Sequence, residues 1–477
     1  MNYRMIKNVM SWLLCFLSVF FLFPMICAAI CGERAFFAFL ASIGISFGVA
    51  MLLRIGKPKS TTLYAREGFV IASLGWIVIS AFGALPFVLS GAIPNFLDAI
   101  FETVSGFTTT GSSILLAVEG LPKSILLWRS FTHWVGGMGV LVLMMVFLPL
   151  CGATNMHIMK AESPGPTVGK MVPRVSQTAK ILYAIYLALT VIMLIFLLSG
   201  GMSLFDSINT AFSTAGTGGF GIKNDSIAGY SPYIQVVVTV FMLLFSINFN
   251  SYYLIICKQL KDAFHLEIKS FIIIVGASIA IITANVASMF SSVGEALRHS
   301  AFSVATVIST TGFATVDFDL WPSLSKTILV LLMFIGACAG STGGGIKVSR
   351  ILIFLKGLGA ELRKMLHPRE VKHVSIDKRP IEPSTVKSVN TYMICYIMLF
   401  TASVLILSLE GKDLVTNFTA VAATINNIGP GLSLVGPTCN FAHFTPLSKI
   451  VLIFDMLAGR LELFPMLLLF HPATYKK

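Results

Sequence analysis

Four short polar segments interrupt this chain, and each lies between two long apolar stretches. They are Thr108-Thr109-Thr110-Gly111, Gly216-Thr217-Gly218-Gly219, Ser309-Thr310-Thr311-Gly312 and Asn426-Asn427-Ile428-Gly429. Non-helical backbone at membrane depth must be surrounded by protein or line a water-filled cavity, because each unsatisfied N–H or C=O group costs several kcal/mol in hydrocarbon. Four such loops in one chain predict a single ring. A ring of backbone carbonyls is how a selectivity filter replaces the hydration shell of a monovalent cation.

The composition is that of a membrane protein. Of 477 residues, 56% are hydrophobic and 12% are charged, whereas a soluble domain has about 25% charged residues. A helix needs roughly 20 apolar residues to cross the hydrocarbon core. By that measure we predict ten spans, near residues 9–30, 35–53, 67–91, 124–150, 180–200, 231–256, 270–290, 324–358, 388–410 and 447–471.

The distribution of basic residues explains the net charge of +13 without a nucleic-acid partner. Lys and Arg cluster in alternate connections, within 54–66, 160–180, 258–269, 347–387 and 476–477. This is the positive-inside pattern of a multi-pass membrane protein. We therefore predict that both termini are cytoplasmic and that the filter loops open to the outside. Anionic lipid headgroups are expected to attract the basic run at 347–387.

The last eight spans form an internal repeat, with four units of span, short pore segment, filter loop and span. Asp98 and Asp206 each precede a filter glycine by thirteen positions, and Phe101 and Phe302 each precede theirs by ten. We predict an all-α integral membrane fold, with four pseudo-repeated units around one pore and two extra N-terminal transmembrane helices. The predicted boundaries are 1–64 for the N-terminal helices and their cytoplasmic loop, and 65–175, 176–262, 263–385 and 386–477 for the repeats.

Main-chain oxygens at the four loops are the predicted ion ligands. Glycine is needed where the chain takes positive φ and where no Cβ fits beside an ion path. The absence of Asp and Glu from the loops argues against a calcium path, which favours charged oxygen ligands. The predicted site for a potassium-sized ion comprises Thr109, Thr110, Gly111, Thr217, Gly218, Gly219, Thr310, Thr311, Gly312, Asn426, Asn427 and Gly429.

Six motifs carry a resemblance to a known family. They are Ser105 to Gly111, His133 to Gly139, Ser213 to Phe220, Ser309 to Phe313, Gly340 to Lys347 and Asn426 to Gly431. The chain resembles the Trk/Ktr/HKT superfamily of potassium transport subunits, and within it the bacterial TrkH/TrkG type. The resemblance implies a homodimer of pores in the bacterial inner membrane, with a separate cytosolic nucleotide-binding regulatory subunit of the TrkA type. The basic run at 347–387 is then the expected docking surface for that subunit.

A run of small residues in the third repeat is the predicted gate. Seven of the nine residues from Ala337 to Gly345 are small, and four are glycines, each costing a helix about 1 kcal/mol relative to alanine. The family places an intramembrane loop here, so the predicted gating residues are Gly340, Ser341, Thr342, Gly343, Gly344 and Gly345. A phosphate-binding loop is the competing interpretation, but Ile346 separates Gly345 from Lys347 and a membrane span precedes the run. We therefore expect no nucleotide in this chain.

Arg460 is a single cation in an apolar run, two positions before Glu462. Ionisable residues within a span are costly and usually face a cavity or a partner. A structural salt bridge with Glu462 or with another helix is one interpretation. The corresponding arginine of the family lines the pore below the filter, which implies a role in gating and in tuning conduction.

The predicted function is potassium uptake through a channel-like filter, and no nucleophile–base pair suggests an enzyme. The eight cysteines form no metal-binding pattern, so the transported K⁺ is the only ion expected. The alternative is a secondary symporter that couples potassium to protons or sodium by alternating access. Such coupling needs a buried carboxylate, and the strongest candidate within a predicted span is Glu462, with Asp455 nearby. The sequence leaves this choice open.

Overall fold

A computed structural model of the chain describes residues 1–55, 65–139, 175–368, 374–377 and 379–475. Several predicted features lie partly or wholly outside these residues. They are residues 140–150 of the span predicted at 124–150, the basic residues within 56–64, 160–174 and 369–373, and the basic pair 476–477.

Two N-terminal transmembrane helices precede the repeats, as the sequence predicted. The first runs through Tyr3–Phe20 and Leu22–Cys31, and the second is Ala35–Arg54. Gly32 adopts a left-handed conformation at the turn between them, which costs glycine nothing. The Ser11 hydroxyl donates a 2.7 Å hydrogen bond to the Ala50 carbonyl, joining the two helices.

Four units of outer helix, pore helix, filter segment and inner helix follow. The outer helices are Ala65–Gly83 with Leu85–Leu89, Val175–Ser199, Leu266–Val286 and Pro383–Leu407. The pore helices are Phe96–Phe107, Leu204–Ala215, Val293–Ile308 and Leu414–Ile425. The inner helices are Lys123–Gly137, Pro232–Phe245 with Phe249–Ile256, Ser323–Ile335 with Val348–Leu366, and Pro446–Arg460 with Phe464–Phe470. The predicted all-α fold with four repeats is confirmed.

The remaining elements are short. One α-helical turn is Leu260–Ala263, and single 3₁₀ turns lie at Ala287–Met289, Phe318–Leu320, Ser408–Glu410, Ser433–Val435 and Pro472–Thr474. An antiparallel ribbon pairs Ser375–Ile376 with Arg379–Pro380. This ribbon lies within the basic connection between the third and fourth repeats.

Each pore helix begins at a polar N-cap, and this local signal explains the repeated acidic positions in the sequence. The caps are Asn95, Ser203, Ser292 and Asp413, and each side chain accepts a hydrogen bond from a main-chain N–H of the first turn. Asp98 and Asp206 lie in first turns, where a negative charge is stabilised by the N-terminal end of the helix dipole. The capping places the opposite, partially negative end of each pore helix at its filter segment.

Within the described residues, the inner helices of the second, third and fourth repeats are interrupted, unlike most of the outer ones. By length and composition, six helices in the described residues can cross a membrane, or seven if the pair Pro232–Phe245 and Phe249–Ile256, bent by 89°, counts as one span. The third inner helix stops at Ile335 and resumes at Val348. The sequence predicted one continuous span at 231–256 and another at 447–471. In the structure, each of these is divided into two helices. Polar or left-handed residues at the breaks, including Asn248, Glu462 and Leu463, account for the interruptions.

Candidate functional site

The four filter segments follow the same backbone path. Each pore helix ends on a right-handed residue, the next residue is left-handed, and the glycine two positions later has positive φ. The left-handed residues are Thr109 (57°), Thr217 (56°), Thr310 (60°) and Asn427 (54°), and the glycines are Gly111 (83°), Gly219 (78°), Gly312 (87°) and Gly429 (101°). A non-glycine residue in this region costs about 1–3 kcal/mol and persists only where the surrounding structure holds it. The repeat is therefore built into the backbone conformation as well as the sequence.

The segments meet in cyclic order, which forms a closed ring. A Cβ atom placed on each filter glycine would lie within 3 Å of a main-chain oxygen in the next repeat. The approaches are Gly111 to Gly218 (2.0 Å), Gly219 to Thr311 (2.0 Å), Gly312 to Ile428 (2.3 Å) and Gly429 to Thr110 (2.9 Å). No side chain fits at these positions, so glycine is required by both φ and space.

All four glycines line one cavity of about 210 Å³. The residues that follow the filter segments, such as Ser112, Phe220 and Pro430, line it as well. The ring therefore has a common mouth on the side away from the pore-helix ends. The predicted ligands from the first three repeats are all brought together at this ring.

In the fourth segment, aligning the residues on the filter glycine adds a ligand that the sequence analysis did not predict. Ile428 immediately precedes Gly429, so it is level with Thr110, Gly218 and Thr311, and sequence reasoning missed it. Counting back from the glycine would have found it. Asn426 is the last residue before the left-handed position, and its carbonyl accepts a 3.1 Å hydrogen bond from the Gly345 N–H. In this arrangement the Asn426 oxygen is engaged by the intramembrane loop.

Buried polar side chains support the ring from behind. The Asn427 amide nitrogen donates to the Thr110 hydroxyl and to the Met456 carbonyl, each at 2.9 Å. The ring of His133 is fully buried, and a Cβ on Gly218 would lie 1.7 Å from its Nδ1 atom. The sequence analysis did not identify His133 as a neighbour of the second filter segment, because 85 residues separate the two positions in the chain.

The predicted gating residues form a loop directly against the filter. Main-chain hydrogen bonds from Ile346 to Phe334 and from Lys347 to Ile335 bring the end of the loop back to its beginning. The Gly344 N–H donates a 2.6 Å hydrogen bond to the Thr310 hydroxyl. A Cβ on Gly344 would lie only 2.2 Å from the Asn426 carbonyl oxygen. Small residues therefore permit the loop to pack against the third and fourth filter segments.

The other end of the loop contacts the second inner helix. The Phe249 N–H donates a 2.9 Å hydrogen bond to the Gly340 carbonyl, and the Thr342 hydroxyl donates to the Phe245 carbonyl at 3.1 Å. The Ser341 hydroxyl donates to the Cys338 carbonyl within the loop at 2.6 Å. These contacts lie at the bend of the second inner helix, so the loop links three repeats.

Arg460 joins this loop to the first repeat. Its guanidinium donates to the Thr342 carbonyl at 3.0 Å, and to the Gly136 and Gly137 carbonyls at 2.6 and 2.7 Å. Glu462 forms an ion pair with Arg350, whose guanidinium also lies 4.2 Å from the centre of the Tyr392 ring. Arg460 thus lies between the loop and the end of the described part of the first inner helix.

Glu267, which the sequence analysis did not single out, holds both ends of the loop. One of its carboxylate oxygens accepts hydrogen bonds from the Ala339 N–H at 2.7 Å and the Ser349 N–H at 3.2 Å. The other oxygen lies 3.4 Å from His265 Nε2. That hydrogen bond raises the pKa of the His265 imidazole, because the carboxylate favours the protonated ring. Asp377, in the turn of the short antiparallel ribbon, accepts a hydrogen bond from the Leu266 N–H.

Four repeated units around one ring of main-chain carbonyls, with a loop packed against it, define a multi-pass membrane transport protein. The profile of the TrkH family, described as a cation transport protein, matches residues 34–475, and the chain belongs to this family.

Relatives of known name match along their full length. The chain is 34% identical over 488 residues to the Trk system potassium uptake protein TrkH of Salmonella typhimurium, and 35% identical over 486 residues to that of Escherichia coli K12, with 100% of each chain covered. It is 32% identical to the Escherichia coli TrkG protein, covering 98% of this chain and 97% of TrkG. The crystal structure of the potassium transporter TrkH from Vibrio parahaemolyticus matches with a TM-score of 0.89 and 32% identity, over 100% of both chains.

Proposed function

We propose that the protein takes up potassium across the bacterial inner membrane through the ring of four filter segments. The observation that carries this proposal is the closed cyclic order of approaches around the ring. Segments packed this closely leave main-chain oxygens as the groups available to replace the hydration shell of an ion. The relatives named as potassium uptake proteins support potassium as that ion.

The ion ligands in this proposal are main-chain oxygens from two levels of the ring. They belong to Thr109, Thr110, Thr217, Gly218, Thr310, Thr311, Asn427 and Ile428. Gly111, Gly219, Gly312 and Gly429 allow the turn that follows. The Asn426 carbonyl, which accepts a hydrogen bond from Gly345, gains a free lone pair if the loop withdraws. The four pore-helix ends add negative potential at the ring, and a membrane potential of 100 mV contributes about 2.3 kcal/mol per charge to uptake.

Flux into proteoliposomes tests this function. The purified protein is reconstituted into vesicles held at a fixed membrane voltage. Rubidium influx and sodium influx are each compared with the influx into empty vesicles. We expect rubidium influx well above background and sodium influx far below it. Equal influx of both ions would refute a potassium-selective filter.

We further propose that the loop of Gly340, Ser341, Thr342, Gly343, Gly344 and Gly345 closes the pore, with Arg460 as its anchor. The loop contacts Thr310 and Asn426 at the inner end of the filter. A guanidinium at this depth also opposes a cation unless its charge is balanced. Opening then requires the loop to leave these contacts, which is a movement that a regulatory subunit could control.

Replacing Glu267 with alanine should raise rubidium flux in the absence of any regulatory subunit. Two N–H groups at the ends of the loop lose their shared acceptor, which destabilises the closed arrangement by about 1–3 kcal/mol. Such a change corresponds to an increase of about five- to 150-fold in the ratio of open to closed protein. Glu267→Gln keeps an acceptor oxygen and should stay close to wild type.

Glu361 supplies the matched control for that measurement, because it is an exposed glutamate on the helix that follows the loop. Glu361→Ala should leave the flux unchanged. Unaltered flux in Glu267→Ala would mean that the carboxylate does not hold the gate closed.

The family and the charge pattern support a proposal for the assembly and the orientation. We propose a homodimer with both termini in the cytoplasm, with repeats bounded at 65–175, 176–262, 263–385 and 386–477 after the N-terminal segment 1–64. The relatives are named as parts of a Trk system, which supports a separate cytosolic nucleotide-binding subunit of the TrkA type. The basic connection 347–387 is its proposed docking surface, and lipid headgroups are expected to contact it as well.

A symporter is the second candidate, and Asp455 is the observation that favours it. This aspartate is fully buried and accepts a 2.8 Å hydrogen bond from the Ser403 hydroxyl. Its Oδ2 atom has no hydrogen-bond partner within the part of the chain that the structure describes. A buried carboxylate that binds and releases a proton is what proton coupling needs. Ser403 lies on the outer helix, however, so the pair faces away from the ring.

Asp455→Asn distinguishes the two candidates. In a channel, the asparagine oxygen still accepts from Ser403, so rubidium flux and its dependence on pH should remain within about twofold of wild type. The measurement is rubidium influx with and without an imposed proton gradient. Loss of gradient-driven accumulation in the variant would favour proton-coupled symport.

A further inference from the structure

Behind the outer end of the filter lies a buried ion pair that the proposed transport path does not use. Arg129, on the first inner helix, and Glu102, on the first pore helix, are 2% and 0% exposed. The Arg129 Nε atom donates a 2.8 Å hydrogen bond to Glu102 Oε1, and its Nη2 atom lies 2.8 Å from the same oxygen. Two charges so deeply buried are retained only when further hydrogen bonds satisfy them.

Those further hydrogen bonds reach the segments that leave the filter in two different repeats. Glu102 accepts from the Ser113 hydroxyl at 3.0 Å and from the Ile114 N–H at 3.0 Å, both in the first repeat. Arg129 donates to the Gly221 carbonyl of the second repeat at 3.2 Å. The pair therefore fastens the outer end of one filter segment to that of its neighbour.

The aromatic ring of the second segment completes the contact. The Arg129 guanidinium lies 4.1 Å from the centre of the Phe220 ring, and Phe220 directly follows Gly219. A planar guanidinium can hydrogen-bond in two directions while stacking on a ring, which a lysine ammonium cannot do. The geometry thus uses the shape of arginine in addition to its charge.

The first repeat is distinguished from the others at this position. Glu102 precedes Gly111 by nine positions, and the residues nine positions before the other filter glycines are Thr210, Ser303 and Ala420. The second and third segments are instead joined by the hydrogen bond from the Ile227 N–H to the Ala314 carbonyl. The mouth of the ring is therefore held by an ion pair on one side and by a neutral contact on the next.

We propose that Arg129 and Glu102 are positioning residues that set ion selectivity, by holding the outer ends of the first two filter segments at a fixed separation. This inference rests on the proposed function of the ring as a potassium filter. Glu102 also balances the charge of Arg129, which lines the mouth cavity and would otherwise repel an arriving cation. Selectivity then depends on side chains that do not touch the ion.

Arg129→Lys tests the geometry separately from the charge. Lysine preserves the ion pair with Glu102 but cannot also reach Gly221 and stack on Phe220. Relative rubidium and sodium influx are measured in proteoliposomes, with thermal unfolding of the detergent-solubilised protein as the check on folding. We expect the rubidium-to-sodium ratio to fall by about tenfold while the unfolding midpoint and the total cation flux are retained.

Asp98→Asn is the matched control. Asp98 lies one turn before Glu102 on the same pore helix and pairs with Lys449 at 2.6 Å, a contact that does not involve the segments after the filter. Its selectivity should stay within about twofold of wild type. If Arg129→Lys does not fold, Glu102→Leu/Arg129→Met replaces the pair by apolar side chains, which buried sites often tolerate, and the same fall in selectivity is expected.

Gly312→Ser in the same assay distinguishes a failure of the proposed positioning role from a failure of the proposed filter. If it alters selectivity while folded Arg129→Lys, or the apolar double variant, retains the wild-type ratio, the positioning role is wrong and the filter stands. If neither Gly312→Ser nor the pair variants alter selectivity, the filter itself has been misassigned and both proposals fail.

Discussion

Gly312→Ser is expected to reduce the rubidium-to-sodium flux ratio by about a hundredfold, because misplacing a ligand by an ångström removes most of the geometric discrimination. Gly312 has a φ of 87°, which strains any residue with a Cβ. That Cβ would also lie 2.3 Å from the Ile428 carbonyl oxygen, a proposed ligand in the next repeat. The serine must therefore push the third and fourth filter segments apart. Paired influx measurements at one voltage give the ratio directly.

Gly276→Ala is the control for this result, because a Cβ at Gly276, on the outer helix of the same repeat, meets no atom within 4 Å. Its flux ratio should equal that of wild type. Should Gly312→Ser behave like the control, Gly312 does not line the filter and the fourfold repeat has been misread.

Gly344→Ala is expected to increase rubidium flux by about tenfold in the absence of a regulatory subunit, since a shift of about 1.4 kcal/mol in the gating equilibrium changes the open population by that factor. The added methyl group would lie 2.2 Å from the Asn426 carbonyl oxygen. To relieve this clash, the loop must move away from the filter, losing the hydrogen bonds from Gly344 to Thr310 and from Gly345 to Asn426. Initial rates of rubidium influx measure the effect.

The same substitution at Gly359, on the helix that follows the loop, provides the comparison, because a Cβ there meets no atom within 4 Å. Gly359→Ala should retain the wild-type rate. A Gly344→Ala variant with wild-type or lower flux would contradict the view that the loop closes the pore by packing against the filter.

Much of the filter could be predicted from the chain, and the reason is local. A positive φ at Gly111, Gly219, Gly312 and Gly429 favours glycine whatever surrounds it, so each position is visible in the sequence. The N-caps of the pore helices, such as Asn95 and Ser203, are local signals too. The loop was predictable from its glycines, which weaken a helix wherever they occur.

The supporting contacts could not be predicted, because they join residues that are distant in the chain. Glu267 meets Ala339 across 72 positions, and Arg129 meets Gly221 across 92. In the sequence alone, neither Glu267 nor Arg129 can be told apart from an ordinary charged residue near a membrane boundary. Only their partners distinguish them, and a single sequence contains no information on which residues become neighbours.

Residue chemistry along the chain therefore accounts for the class of protein, the four filter segments and the glycine-rich loop. Spans, caps and positive-φ glycines depend on a residue and its nearest neighbours in the chain. The cyclic order of the ring, the anchoring of the loop by Arg460 and Glu267, and the ion pair behind the mouth came from packing. Their energies arise when buried charges and main-chain groups from different repeats satisfy one another, and this happens only once the four repeats are assembled.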